Sequence, residues 1–263
     1  MTNLPADPLR ADCTRCVALC CVATNFAKSA DFAISKREGK ACPNLDKTHQ
    51  CSIHDGLRSK GFGGCVAFDC LGAGQRATTM ASKDGALPDG NDRALHSLWR
   101  ALLPLHELLW ALREGQRHAR STLKTEDPAL AALQEEVARA AEAPLKADAQ
   151  ELRTRTNALL WKVSADVRQP PGPDHGRAMR IEAKLRGRDL RRANLFASCM
   201  LGADLRGADL RGADLRGTDL RGADLRGADL RDVLFLQQAQ VEGARGDRKT
   251  RLPTGIDRPA HWG

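Results

Sequence analysis

The sequence predicts a multidomain chain: a repeat rod whose backbone turns a corner every five residues, a small α-helical bundle, and a metal-stabilised, cysteine-rich head. Three observations predict it. Residues 183–232 repeat with a period of five, residues 91–169 carry apolar side chains at helical spacing, and eight of the nine cysteines lie between Cys13 and Cys70. These give the boundaries 1–80 for the head, 91–169 for the bundle, 174–243 for the rod with its caps and 244–263 for a C-terminal tail.

In fives from Ala203 the rod reads ADLRG, ADLRG, ADLRG, TDLRG, ADLRG, ADLRD, after the looser copies AKLRG, RDLRR, ANLFA and SCMLG from Ala183. A period of five fits neither a helix (3.6) nor a simple strand (2). The central Leu and the small residue two before it are the consistently apolar positions, so a corner at each pentad puts both inside and leaves Asp, Arg and Gly outside. This pattern resembles the pentapeptide-repeat family, A(D/N)LXX. The resemblance implies a right-handed, quadrilateral β-helix with four pentads per coil. Leu205 then stacks on Leu225 and Asp204 on Asp224. Ten pentads and a weaker eleventh, VLFLQ, predict two and a half to three coils. Open coil ends expose unpaired backbone, so both ends require caps. A short helix over Ala178–Ala183 is expected at one end, and Val233–Leu236 with QQAQVEGA at the other. Trp262 is placed to pin the basic tail back.

The head carries Cys13-x2-Cys16-x3-Cys20-Cys21, then Cys42-Pro43, Cys51, Cys65 and Cys70. A CxxC turn aims two sulfurs at one point, and thiolates suit Zn²⁺ or iron–sulfur clusters. A metal stands in for the core that so short and Gly-punctuated a segment barely builds. All eight thiols are candidate ligands, for zinc or an iron–sulfur cluster without a choice between them. Cys20 and Cys21 diverge as neighbours, so one faces the metal while the other packs inward or serves a second site. His49 and His54 flank Cys51, but His54 opens a short helical stretch and reads as a surface or capping residue. CTRCVALCC…CPNL…CSIH resembles the zinc- or iron-chelating family with its CxxCxxCC…CPxL…C motif, although three residues rather than two separate Cys16 from Cys20. The whole order through FDCLGAGQ resembles the head on many pentapeptide-repeat proteins of high-GC bacteria. GAGQ at 72–75 reads as a turn, too short for a phosphate loop.

In the middle, Leu95, Leu98, Leu102, Leu109 and Leu112 recur at helical spacing, widened by Trp99 and Trp110. Pro104 is expected to kink or restart that helix. Asp127-Pro128 starts a second, with Leu130, Leu133 and Val137, ending at Pro144. A third carries Leu152, Thr156, Leu159, Val163 and Val167 and stops before Gln169-Pro170-Pro171. Short connections make these a small antiparallel bundle. His96, His106 and His118 receive no role.

MTNLPADPLR has no apolar leader core and no run approaches eighteen apolar residues, so a cytoplasmic chain without a membrane partner is expected. That compartment favours metal thiolates over disulfides. The formal charge of +8 is spread along the chain and interleaved with acid, which argues against nucleic acid. Over Ala183–Asp232 eleven Lys/Arg face eight Asp, a net +3. The pentapeptide-repeat resemblance also implies DNA gyrase or topoisomerase protection by imitation of duplex DNA. A slightly positive rod shorter than one duplex turn of about 34 Å opposes it. An iron–sulfur redox or radical enzyme is a further alternative, without an acid/base pair or cofactor glycine motif to support it. The expectation is a metal-stabilised protein-interaction scaffold whose partner is another protein.

Overall fold

The computed structural model describes residues 7–84 and 86–263. MTNLPA, which enters the leader reading, and Gly85 of the KDGALPDGND break lie outside the described residues. The chain divides into two compact units: Met1–Arg113 with Pro128–Asn157, and Glu114–Asp127 with Ala158–Gly263. The helical stretch 91–169 is thus shared between the units rather than standing as a body of its own.

In the first unit the short helices α1 (Leu19–Val22) and α2 (Gly63–Val66) lie in the head and lead to α3 (Ala73–Ala81). α4 (Arg93–His118) runs through Pro104 as one helix, so it does not restart there. One missing N–H costs a single helical bond, while Leu95, Trp99, Leu102, Leu105, Leu108 and Leu112 are buried on both sides of it. α5 (Pro128–Ala140) buries Leu130, Leu133 and Val137. α6 (Ala149–Val167) buries Leu152, Thr156, Leu160 and Val163. The inward residue is therefore Leu160 rather than Leu159. Arg155 grips Glu136 of α5 in a two-pronged pair at 2.7 and 2.6 Å, and Arg153 reaches Glu107 of α4 at 3.0 Å.

The second unit is built on the rod. Parallel bridges join residues twenty apart: Asp174 to Asn194, Met179 to Cys199, Lys184 to Asp204, Asp204 to Asp224 and so on. Twenty residues are four pentads, so each coil has four sides, and each side contributes one bridge residue rather than a continuous strand. Three steps of about 4.8 Å separate the bridged levels at Asp174, Asn194, Asp214 and Leu234. Leu195, Leu205, Leu215 and Leu225 are fully buried, with Ala203, Ala213 and Ala223 in the small inward place. Cys199 takes the bridge place that Asp holds in later pentads.

The first coil begins at Asp174, nine residues before the clear repeat. Ala178–Ala183 form no covering helix: Cys199 N–H bonds Ala178 C=O at 3.0 Å, and Asp204 N–H bonds Ala183 C=O at 2.9 Å. The extended pairing wins because each of these bonds joins the segment to a formed coil. His175 and Arg180 occupy the central places where later pentads carry Leu, and they bond each other at 2.9 Å. At the far end α7 (Gln238–Gly243) caps the last coil, with a reciprocal Gln237–Gln240 box at its start. The Gln240 amide donates to Leu215 C=O and Thr218 C=O at 2.9 and 2.8 Å. The tail adds further pairing, since Arg245 bridges Asp224 and Arg251 bridges Asp229. Trp262 is buried and its indole N–H donates to Ala244 C=O at 3.3 Å, so the tail is pinned as expected.

On the outside, each Arg folds back onto the Asp two residues earlier. Arg206, Arg211, Arg221, Arg226 and Arg231 place Nη2 2.5–2.7 Å from Asp204, Asp209, Asp219, Asp224 and Asp229. Arg206 also lies 3.7 Å from Asp224 in the next coil. The pentad at Ala213 departs from this. Ser164 of α6 donates to the wholly buried Asp214 at 2.5 Å, and the Arg216 guanidinium turns away to lie 4.4 Å from the Phe196 ring centre and 5.4 Å from that of Phe235. Among the described residues Nε and Nη1 of Arg216 have no hydrogen-bond partner, a cost that the ring contacts offset in part. Trp161 of α6 meets Phe196 edge-on at 6.0 Å. The helical segment thus docks on the one rod face where aromatic residues replace the Asp–Arg pairing.

Two substitutions test this register. Leu210→Asp sets a carboxylate in the buried column and should lower stability by roughly 3–5 kcal/mol in thermal or urea unfolding. Arg211→Ala, one place on and exposed, should cost less than about 1 kcal/mol. Equal damage from both would contradict the register.

Candidate metal centre

The head is held on α3. The Gln75 side chain accepts from Asp12 N–H at 2.9 Å and donates to Arg10 C=O at 2.8 Å, while Thr78 accepts from Val17 N–H at 3.3 Å. These bonds fix the segment carrying Cys13 and Cys16, which opens with a 3₁₀ turn at Cys13–Arg15 capped by Asp12. Gly74 sets the depth of the packing: a Cβ there would lie 2.9 Å from Cys16 Sγ and 3.7 Å from Cys70 Sγ. Both sulfurs therefore flank one glycine. GAGQ is the start of a helix rather than a plain turn, with Gly72 at φ +82 leading into α3. His106 of α4 secures the Cys70 turn through Nδ1, 2.7 Å from Leu71 C=O.

A second group forms on the loop over residues 42–52. Cys42 N–H bonds Cys21 C=O at 2.9 Å, and Leu45 N–H returns to Cys42 C=O at 2.9 Å. Leu45 bridges Cys51, and Asp46 holds the intervening turn by accepting from the N–H groups of Thr48 and Gln50. This brings Cys42 and Cys51 beside α1, which carries Cys20 and Cys21 with their sulfurs 4.0 Å apart. Cys65 lies on α2. His54 is exposed in a 3₁₀ turn, and His49 is half-buried with φ +61, as befits turn residues.

The electrostatics join the groups around Cys20. Cys13 is exposed as a residue, yet partial desolvation of its thiol, then Cys20, Cys70 and Cys16, pushes it up to about 11. Burial first, then Cys20, Cys42 and Cys51, does the same to Cys65. Contact with the Cys21 thiol, then burial, raises Cys20 well above the ordinary range. Burial also raises Cys16, Cys51 and Cys70, and backbone N–H groups oppose it: those of Leu19 and Ala18 at Cys16, Ile53 at Cys51, and Gly74 and Gly72 at Cys70. An N–H aimed at sulfur favours the thiolate that a metal needs. Lys36 adds a buried ammonium bonded to the C=O groups of Val22, Thr24, Arg37 and Lys40. Burial lowers its pKa, and Cys42, Cys21 and Cys20 oppose that.

The structure gathers the eight thiols in one head. It does not close Cys13, Cys16 and two later cysteines into one coordination sphere: among the described residues no three Cys, His, Asp or Glu side chains form such a set. Burial disfavours the charged form of Cys16, Cys51, Cys65 and Cys70, as contact with Cys21 and burial do for Cys20, and thiols must lose protons before they bind a cation. The donors and the cation around them fit a soft, thiolate-bound group all the same. Thr78, Gly72, Gly74, His106 and Lys36 are the supporting residues that the cysteine spacing does not reveal. A glycine pair just after Cys70 was the one available signal.

The pentapeptide-repeat pattern matches this chain in eight copies, over residues 181–212, 198–237 and 208–245. The uncharacterised protein YybG of Bacillus subtilis (strain 168) is 42% identical over 268 residues, spanning 97% of this chain and 95% of that one. Among solved structures, the pentapeptide-repeat protein Rfr23 of the cyanobacterium Cyanothece 51142 is 31% identical over 30% of this chain and 53% of its own, with a TM-score of 0.28. A pentapeptide-repeat protein of the Arabidopsis thaliana thylakoid lumen is 31% identical over 34% and 56%, with a TM-score of 0.26. The chain thus spans about half the length of each of these two structures. A repeat that extends through the stacked coils, together with near full-length similarity to YybG, makes this chain a pentapeptide-repeat protein of the YybG family.

Proposed function

We propose that this is a cytoplasmic protein-interaction scaffold whose head is stabilised by zinc or an iron–sulfur cluster bound through Cys13, Cys16, Cys20, Cys21, Cys42, Cys51, Cys65 and Cys70. The observation that carries the reading is the clustering of the head cysteines about Cys20, with the Cys20 and Cys21 sulfurs 4.0 Å apart and those of Cys16 and Cys70 both against Gly74. A thiolate-bound metal would crosslink the loops of the head and supply folding energy that its few buried side chains lack. The rod then serves as a rigid body: along the regular ADLRG coils the Asp and Arg charges largely satisfy one another, so those sides are nearly neutral. Imitation of DNA is disfavoured by those pairs, because Asp189, Asp204, Asp209, Asp219, Asp224 and Asp229, which would mimic phosphates, each already carry an arginine.

Anaerobic purification, metal analysis and an absorption spectrum test the head. A stoichiometric, colourless zinc protein supports the scaffold, and visible iron–sulfur absorption turns the reading toward redox or radical chemistry. Chelation should unfold the head and leave the coil bonds of the rod intact. Cys199, outside the head, is the internal control: its labelling rate should not change on chelation, while those of the head cysteines rise. Absence of any bound metal, or protection of Cys199 that vanishes with it, would overturn the assignment.

A further inference from the structure

The two ends of the rod differ. The C-terminal end is closed by α7, by the pairing of Arg245 and Arg251, and by Trp262. At the other end, the N–H groups of Met179 and Lys184 and the C=O groups of Met179, Ile181, Lys184 and Arg186 have no backbone partner among the described residues. In the next coil the equivalent groups are all bonded to the first: Cys199 and Asp204 N–H donate to Ala178 and Ala183 C=O, and the C=O groups of Cys199, Leu201, Asp204 and Arg206 accept from Arg180, Glu182, Leu185 and Gly187 N–H. The open side is also apolar in part. Met179 is 71% exposed and Ile181 50% exposed, in places that Asp and Arg hold in later pentads.

Charge singles out the same end. Residues 174–193 carry seven Arg or Lys and three Asp or Glu, a net +4. Residues 194–213 carry Asp204, Arg206, Asp209 and Arg211, which balance. Of the basic side chains in the first coil, Arg191 is paired with Asp189 at 2.6 Å. For Lys184, Arg186 and Arg188 no carboxylate lies within ion-pair distance among the described residues.

We propose that the open first coil is a docking edge for an acidic segment of a partner protein, which pairs with Met179 and Ile181 on one side of the coil and, after following the corner at Glu182, with Lys184 and Arg186 on the next. Main-chain bonds from the open groups supply the pairing, Met179 and Ile181 accept its apolar side chains, and Lys184, Arg186 and Arg188 face its carboxylates. A second copy of this chain brings the same +4 end and is repelled. The inference rests on the interaction reading, yet the two fail separately: a partner held elsewhere on the chain would sink the edge and spare the scaffold.

The test uses the full chain and a fluorescein-labelled decapeptide alternating valine and glutamate, followed by anisotropy. Binding should be saturable and weakened by salt. It should fall at least tenfold for Met179→Glu/Ile181→Glu, and likewise for Lys184→Glu/Arg186→Glu. Leu145→Glu, an exposed apolar residue of the other unit, should change nothing. A peptide of the same composition interrupted by two prolines should bind at least tenfold more weakly, because it lacks the donors. Equal binding of the proline peptide, equal binding of a valine–lysine peptide, or no binding at all would overturn the edge. Self-association in sedimentation that Met179→Glu/Ile181→Glu abolishes would assign the end to a second copy and overturn it equally.

Discussion

A left-handed backbone turn at every fifth residue is the constraint on which the rod depends. Positive φ recurs at Arg177, Glu182, Gly187, Arg192, Ala197, Gly202, Gly207, Gly212, Gly217, Gly222, Gly227 and Asp232. Each turn rotates the chain to a new side, so four of them bring residue i beneath residue i+20. Without that closure neither the leucine column nor the bridges between coils exist. For an L residue the left-handed region costs roughly 1–2 kcal/mol, and glycine removes the cost. The run from Gly202 to Gly227 therefore holds glycine at every corner, and the earlier coils bear the strain at Arg177, Glu182, Arg192 and Ala197. Pairing with the coil above holds those corners in place.

The outer charges follow from the same geometry. In each DLR step the Asp carboxylate accepts the N–H two residues on, and in all but the Asp214 step the arginine at that position folds back onto the same carboxylate. The pairing lowers the Asp204 and Asp229 pKa values to about 2, chiefly through the hydrogen bonds from Arg206 and Arg231. It also leaves little unbalanced charge for recognition along the regular coils. What is distinctive lies where the pattern breaks: Phe196, Arg216 and Phe235 on the face that receives α6, and Met179 and Ile181 on the open coil.

Much of the rod was legible because its rule is local. ADLRG names the inward pair, the outward pair and the corner, so Leu205 over Leu225 and the capping role of 233–243 follow from spacing alone. The first coil was not legible. His175 and Arg180 stand in leucine places and Arg177 and Glu182 in glycine places, so only the pairing partner twenty residues on identifies them. In the helices, period predicted the buried faces of α5 and most of α4. Pro104 does not restart α4, because burial on both sides of it outweighs one lost bond, and Leu160 replaces Leu159 because a weakly patterned helix leaves its rotation to its neighbours. In the head, cysteine spacing identified the sulfurs. Gly74 beside two sulfurs shows only as part of the glycine pair after Cys70, and a residue that acts at long range, such as His106 on Leu71, leaves no pattern in a single sequence.

Amide hydrogen exchange resolved by residue tests the central claim, that coils stack at twenty residues from Asp174 onward with the first coil open. The N–H groups of Cys199, Asp204, Asp209, Asp214, Asp219 and Asp224 each bond the preceding coil and should exchange slowly, recurring in fives. Those of Met179 and Lys184, in the same place of the first coil, should exchange at close to the rate of an unstructured chain. Slow exchange at Met179 and Lys184 in the isolated protein, or protection that follows a helical rather than a five-residue period, would contradict the account.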